Sequence, residues 1–351
     1  MLRPFPRSVL ILALLVAGVA VGCEDETTNV EPEVTEPPAL LTRRFWYRAS
    51  PPISMDNYTP LPAANAARAY WYQIEPEWGA TMRDFNPETS KENDVPLTTM
   101  HIEVDSIPVD STSWTGIMTG FSGSWDGYKG PHGVPGGLDP LDLSKSDVMK
   151  IWVNDFKPDP AERGGTIYIE LGFIDEDFYL PDLNDHNLED ADRDGFEMGG
   201  EHNEDTGLDG ISTWEYGDDP DDDYFSQRIP ADGYRFTHIN GTEWNGLPDD
   251  EDLDGNGQLD LINGYFRYEV NLSADAVQDV RRDYPAFGEF KHPEDSWRLY
   301  EIRLDDYHAV TAWGRVPYRD QIKHMRLWFD DIGKVISPRV KCIQIREIEF
   351  E

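Results

Sequence analysis

Between Asp182 and Asp260 the chain carries 25 Asp and Glu against three Arg and no Lys. Carboxylates at that density repel one another unless neutralised, and each one removed from water needs a cation or several donors around it. A packed core must therefore be assembled from the residues on either side, with 182–260 as an insert between two blocks of core-forming sequence. The acids within it are ordered. Asp190-x-Asp192-x-Asp194-Gly195-x5-Glu201 has the full spacing of a twelve-position calcium loop. Asp190, Asp192 and Asp194 offer side-chain oxygens, Phe196 at position seven a backbone carbonyl, and Glu201 at position twelve a bidentate carboxylate. Gly195 allows the sharp turn. Glu197 replaces the usual aliphatic at position eight, and the flanks do not read as amphipathic helices, so this is a calcium loop without a helix pair.

A second loop is registered as Asp252-x-Asp254-x-Asn256-Gly257-x-Leu259-Asp260, with Leu259 as its apolar pin and Asn263 at position twelve. Asp250, offset by two residues, can join this ligand set or substitute in it. Calcium suits flexible, carboxylate-rich loops, whereas magnesium demands a tight octahedron and holds its waters. The expected cofactor is structural Ca2+.

Residues 1–22 read as a lipoprotein signal peptide: Arg3 and Arg7, an apolar run from Val9 to Val21, then Ala20-Val-Gly-Cys23. The run is too short to span a bilayer. Cys23 is the expected lipidation site, an ordinary cleaved signal being the plainer alternative. Residues 23–40, acidic and Pro-rich, form an extended tether. Acidic residues directly after the Cys resemble the surface-export signal of Bacteroidetes-type lipoproteins. The expected address is the outer membrane, lipid-anchored, at the cell surface more than the periplasmic face. Only Cys342 then remains, which leaves no intrachain disulfide.

Residues 41–351 read as one β domain. Runs rich in aromatic and β-branched residues recur between turn signals. They are Arg44–Tyr47, Arg68–Ile74, Leu97–Val104, Thr115–Phe121, Val148–Val153, Thr166–Phe173, Gly233–His238, Tyr265–Leu272, Arg298–Leu304, His324–Phe329 and Cys342–Phe350. Met149, Ile151 and Val153 share one face, as do Ile167, Ile169 and Leu171; Leu299 and Ile302 extend the apolar set. Ile343 and Ile345 followed by Ile348 and Phe350 skip one position, which predicts a β-bulge. The best helix signal is Ser273–Asp283, with Ser273 as cap. The predicted fold class is all-β: a jelly-roll, galactose-binding-like β-sandwich with a long acidic calcium-type insert. Leu141-Asp-Leu-Ser144 leading into Val148–Val153 is a phrase of such sandwiches, and packing is its expected role.

Several chemistries find no footing. The net charge of −38 opposes nucleic acid and anionic lipid as partners. The eight His form no His-Glu-x-x-His, and His186 and His202 stand among hard oxygen donors. No Gly-x-Ser-x-Gly occurs, and a Cys nucleophile is implausible. Carboxylate pairs are expected by chance in so acidic a chain. The chain reads as no enzyme. The 11 Trp offer a sugar-stacking face as an alternative, although core packing is the default for aromatics within strand patterns.

Several phrases resemble the repeated soluble modules of the SprA/Sov family, the outer-membrane translocon of type IX secretion and gliding motility. They are Trp114–Met118, Leu143–Val153, Tyr168–Asp177, Glu204–Gly210, Asn240–Gly246 running through Asp260 to Tyr268, Trp297–Leu304, Ile322–Trp328 and Ile345–Phe350. They span about residues 65–351, in the family's order. The resemblance implies a β-sandwich module of an envelope machine and an envelope protein as partner, with the secretion machinery as one candidate. The family's channel is a very large β-barrel, which this chain is too short to build, so the pore role does not carry over. The expected function is a lipid-anchored, calcium-stabilised envelope binding or structural module that touches the membrane through its anchor alone. A carbohydrate-binding surface lipoprotein, with a glycan as ligand, is the alternative.

Overall fold

The structure is a computed structural model of the chain. It describes residues 46–56, 58–67, 69–73, 81–85, 89–93, 99–105, 113–121, 140–157, 159–178, 251–253, 258–282, 295–311, 317–330 and 340–351. Half of them are in strands and 6% are helical, so the fold is all-β as expected. In chain order the strands are β1 Tyr47–Arg48, β2 Ala69–Gln73, β3 Met100–Asp105, β4 Thr115–Gly120, β5 Val148–Asn154 and β6 Thr166–Phe173. They continue as β7 Gly264–Asn271, β8 Gln278–Arg282, β9 Asp295–Arg303, β10 His308–Thr311, β11 His324–Asp330 and β12 Val340–Phe350. The helix α1, Met82–Phe85, is a single turn.

Two antiparallel sheets of six strands result, ordered β1-β4-β11-β6-β7-β10 and β2-β3-β12-β5-β9-β8. Their facing sides supply the main core. Ile167, Ile169, Leu171, Phe266, Tyr268, Met325, Leu327 and Phe329 from the first sheet meet Met149, Ile151, Val153, Ile102, Ile343, Ile345 and Ile348 from the second. The period-two pattern puts them there, since alternate side chains of a strand point to opposite faces. Leu299 departs from its expected company. It joins Trp152 and Trp297 on the outer face, while Tyr300 and Ile302 pack on the core.

The bulge forms where the skip predicts it. Pairing of β12 with β5 shifts between Ile345 and Glu347, so Arg346 is the extra residue and Ile343, Ile345, Ile348 and Phe350 all face inward. Leu143 packs into the core, as expected for its phrase. The turn before β5 is closed by the Asp142 carboxylate, which accepts from Ser144 N–H at 2.9 Å.

The helix expected at Ser273–Asp283 does not form. Ser273 donates its hydroxyl to Arg163 O instead of capping, Ala274 N–H closes a turn onto Asn271 O, and Val277 N–H pairs with Leu299 O. From there Gln278–Arg282 continues along β9 as an edge strand. Ladder bonds to a strand already in place outweigh the few tenths of a kcal/mol by which helix propensity would favour the other state. Strand β10 also escapes the sequence pattern, because of its four residues only Val310 is buried. The expected strand Gly233–His238 lies outside the described residues, as do Arg44 and Phe45 of the first run.

Candidate functional site: the roots of the acidic insert

Strand β6 ends at Phe173 and the chain leaves the first sheet through Ile174–Phe178. It returns through Glu251–Leu253 and Gln258–Asn263 into β7. The two roots are fastened to each other. Glu176 N–H donates to Asp260 O at 2.9 Å, and Asp260 N–H donates to Glu176 Oε2 at 2.8 Å. Phe178 N–H donates to Glu251 Oε1 at 2.8 Å. Asp175 N–H donates to Asn263 Oδ1, whose Nδ2 reaches back to Asp175 Oδ2 at 3.4 Å.

His324, at the start of β11, is the post on which both roots hang. Its cross-strand neighbours are Gly120 on β4 and Gly172 on β6. A Cβ on Gly120 would lie 2.5 Å from Leu253 O, so the bare backbone there is what lets the returning root pass. Gly172 has φ +151°, and a Cβ on it would meet Gly264 O at 2.6 Å. In the slot between them His324 Nδ1 accepts from Ile174 N–H at 3.2 Å, and Nε2 lies 3.1 Å from Glu176 Oε1.

The roots concentrate negative charge in a dry place. Glu176, Asp177, Glu251 and Asp252 are all buried. Burial pushes the Asp175 carboxyl above the usual carboxylate range, against the opposing effects of the Asp177 N–H, Arg326 and the Asn263 amide. Lys323 Nζ stands 3.4 Å from Asp260 Oδ2.

Next to the roots, the outer face of the first sheet buries an ion network. Glu170 is directly opposite Arg326 on β11 and Arg267 on β7. Arg267 Nε donates to its Oε1 at 2.6 Å, Arg326 Nε to its Oε2 at 2.6 Å, and Trp328 Nε1 to Oε1 at 2.9 Å. Burial alone would raise the Glu170 carboxyl, but the two guanidiniums and the indole outweigh it and hold it below its usual value. The arginines also grip the segment that follows Trp46. Arg326 Nη1 donates to Ser50 O at 3.1 Å and to Ser50 Oγ at 2.9 Å, and Arg267 Nη2 donates to Ile53 O at 2.6 Å. The Ser50 hydroxyl passes the link on to Asp175 O. Burial and the nearby Glu170 push the Tyr265 phenol up to about 12, so it stays protonated beside Arg267.

Of the residues expected to hold calcium, Asp252 and Asp260 fall among those described. Asp252 is buried at the head of the returning root, and Asp260 is locked to Glu176 through its backbone. Leu259 is only half-buried; it is Leu253 that packs against the apolar cluster of Tyr47, Ile53, Met118 and Phe178. Asp190, Asp192, Asp194, Phe196, Glu201, Asp250, Asp254 and Asn256 lie outside the described residues, as does Cys23. Among the described residues no three His, Cys, Asp or Glu side chains converge as a metal-binding group, and no helix is long and apolar enough to cross a membrane.

The buried Glu170 network and the His324 post were not anticipated. Their signal was present: charged residues or His interrupting three apolar runs, at positions that come into register only once β6, β7 and β11 are neighbours.

No model of a known protein family matches the chain, and no curated protein matches it.

Proposed function

We propose that the chain is a lipid-anchored, calcium-stabilised β-sandwich module that binds a protein partner at the outer membrane, related to the soluble modules of the SprA/Sov family. Its role is binding and structural, and it carries out no catalysis. The fold it adopts is a jelly roll. In support, setting aside β1, β2, β8 and β10 and renumbering the remaining eight strands turns the two sheets into orders 1-8-3-6 and 2-7-4-5. That is the order produced by two interlocked Greek keys.

The observation that carries the calcium reading is the mounting of the insert. Its two ends are tied to each other beyond the ends of β6 and β7, and the acids between them carry the calcium-loop spacing. The donors fit a hard cation chemically. Asp252 heads the second loop, and position nine often ligates through a water, which lets Asp260 keep Lys323. Bound there, the ion would neutralise the loop acids; the chain's own contribution is to hold the loop ends at a fixed spacing. The family reading has its own support. Glu170, Glu176, Arg267, His324, Arg326 and Trp328 all fall within the phrases that carry the resemblance.

The glycan-binding alternative is the weaker one. All six Trp among the described residues (Trp46, Trp71, Trp114, Trp152, Trp297 and Trp328) are buried, so none of them offers a sugar-stacking surface.

The test is thermal unfolding of the mature chain in EDTA, calcium and magnesium, followed by capture of envelope proteins on the calcium-loaded form. Tm should fall in EDTA and return with calcium but not magnesium. Calcium at a hundredfold excess over its dissociation constant adds about 2.7 kcal/mol. An unchanged Tm in EDTA removes the calcium claim, and capture of no envelope protein removes the partner claim.

A further inference from the structure

We infer that the clamp joining the two roots of the insert is proton-sensitive, with the His324 imidazole as its trigger. A backbone N–H can only donate, so the Ile174 contact at 3.2 Å requires a lone pair on Nδ1. The single ring proton then sits on Nε2 and is donated to Glu176 Oε1. Glu176 in turn holds the returning root, its Oε2 accepting from Asp260 N–H. One neutral imidazole thus fastens both roots, one directly and one through a carboxylate.

A second proton can enter only at Nδ1, where it would face the Ile174 N–H donor to donor. His324 and Ile174 are each 1% exposed, so water cannot take over as acceptor while the roots stay closed. Proton uptake is therefore coupled to release of the outgoing root. The charged groups around the ring do not replace the lost acceptor. The outgoing root brings Asp175, Glu176 and Asp177, and the returning root brings Glu251, Asp252 and Asp260. Lys323, just before β11, and Arg326, on it, flank the ring in sequence, with Glu170 and Arg267 further along the sheet. The neighbouring positions on β4 and β6 are the glycines. The acids would favour an imidazolium electrostatically and the cations oppose it, but none of them offers Ile174 N–H an acceptor in the closed arrangement.

The sign follows from linkage. The open state binds one more proton than the closed state, so clamp stability rises with pH. Asp175 works the other way: its carboxyl is raised by burial, so its contribution is present at low pH and lost as pH rises. Its effect is separable because it does not depend on residue 324.

The test is amide protection of residues 174–178 and 258–263 in the mature chain, by hydrogen exchange at constant calcium, between about pH 8 and about pH 5.5. In the wild type, protection factors should fall with acidification by up to about tenfold per pH unit. In His324→Asn, whose Oδ1 can accept from Ile174 and cannot titrate, protection should remain and the fall on acidification should vanish, leaving only the opposite slope that Asp175 contributes. The same slope in His324→Asn, or none in the wild type, overturns the proposal. If that variant does not fold, the wild-type ring nitrogens read by NMR decide. An Nε2–H tautomer that is lost with the same midpoint as Ile174 protection supports the trigger; an Nδ1–H tautomer, or separate midpoints, overturns it.

Discussion

Arg326 donates its Nε proton to Glu170 Oε2 at 2.6 Å, and neither side chain is reached by solvent. Arg267 completes the pair from the other side, and each arginine also donates to the backbone, Arg326 at Ser50 and Arg267 at Ile53. The carboxylate is thus the counter-ion that allows two buried cations to hold the N-terminal segment on the sheet. Glu170→Gln leaves both guanidiniums buried without it, and loss of one partner from such a network costs about 3–5 kcal/mol. Urea unfolding should show a lower midpoint at unchanged slope. Because the Glu170 carboxyl is held below its usual value, its contribution is present above about pH 4.3 and is lost only as pH falls through the lower, folded-state value.

Glu347 behaves in the opposite sense. It lies at the β12 bulge, where burial, opposed by Arg346 and aided by Glu349, pushes its carboxyl up to about 7. Arg346 is 3.3 Å away and lies over the Phe85 ring at 4.2 Å. A raised acid contributes stability that is complete below about pH 4.3 and is lost as pH rises through about 7. Glu347→Gln should flatten the pH dependence of Tm between these limits and raise stability at about pH 8, by at most about 3 kcal/mol.

Gly120 is required by a contact rather than by its own conformation. Gly120→Ala drives a methyl into the Leu253 carbonyl, 2.5 Å from the ideal Cβ position. A cost of about 1–3 kcal/mol is expected, as for overpacking elsewhere. Exchange of the amides of Glu251–Leu253 should rise more than that of β5 or β12, which lie in the other sheet; equal rises would mean that the returning root does not rest on Gly120.

The two loops of calcium-type spacing should report separately. Asp190→Ala with Glu201→Ala removes ligands of the first loop, and Asp252→Ala heads off the second. Isothermal titration should lose one calcium equivalent in each case and two in the combination. A stoichiometry unchanged by the first pair would strike out the 190–201 loop as a site.

Much of this was legible from one-dimensional patterning. Alternation at Met149–Ile151–Val153 and Ile167–Ile169–Leu171 determined which faces meet, because period two is a local property of an extended chain. The skip after Ile345 marked the bulge for the same reason.

Other features depend on neighbours distant in sequence, and only the tertiary structure decided them. Gln278–Arg282 is a strand because β9 offers it a ladder, although its residues alone favour helix. Glu170, Arg267 and Arg326 each look like a surface charge until β6, β7 and β11 lie side by side and the N-terminal segment covers them. His324 acquires its single tautomer from an N–H donor 150 residues away. Apolar faces are specified residue by residue, whereas the partner of a buried charge is specified by register, and register exists only in the folded sheet.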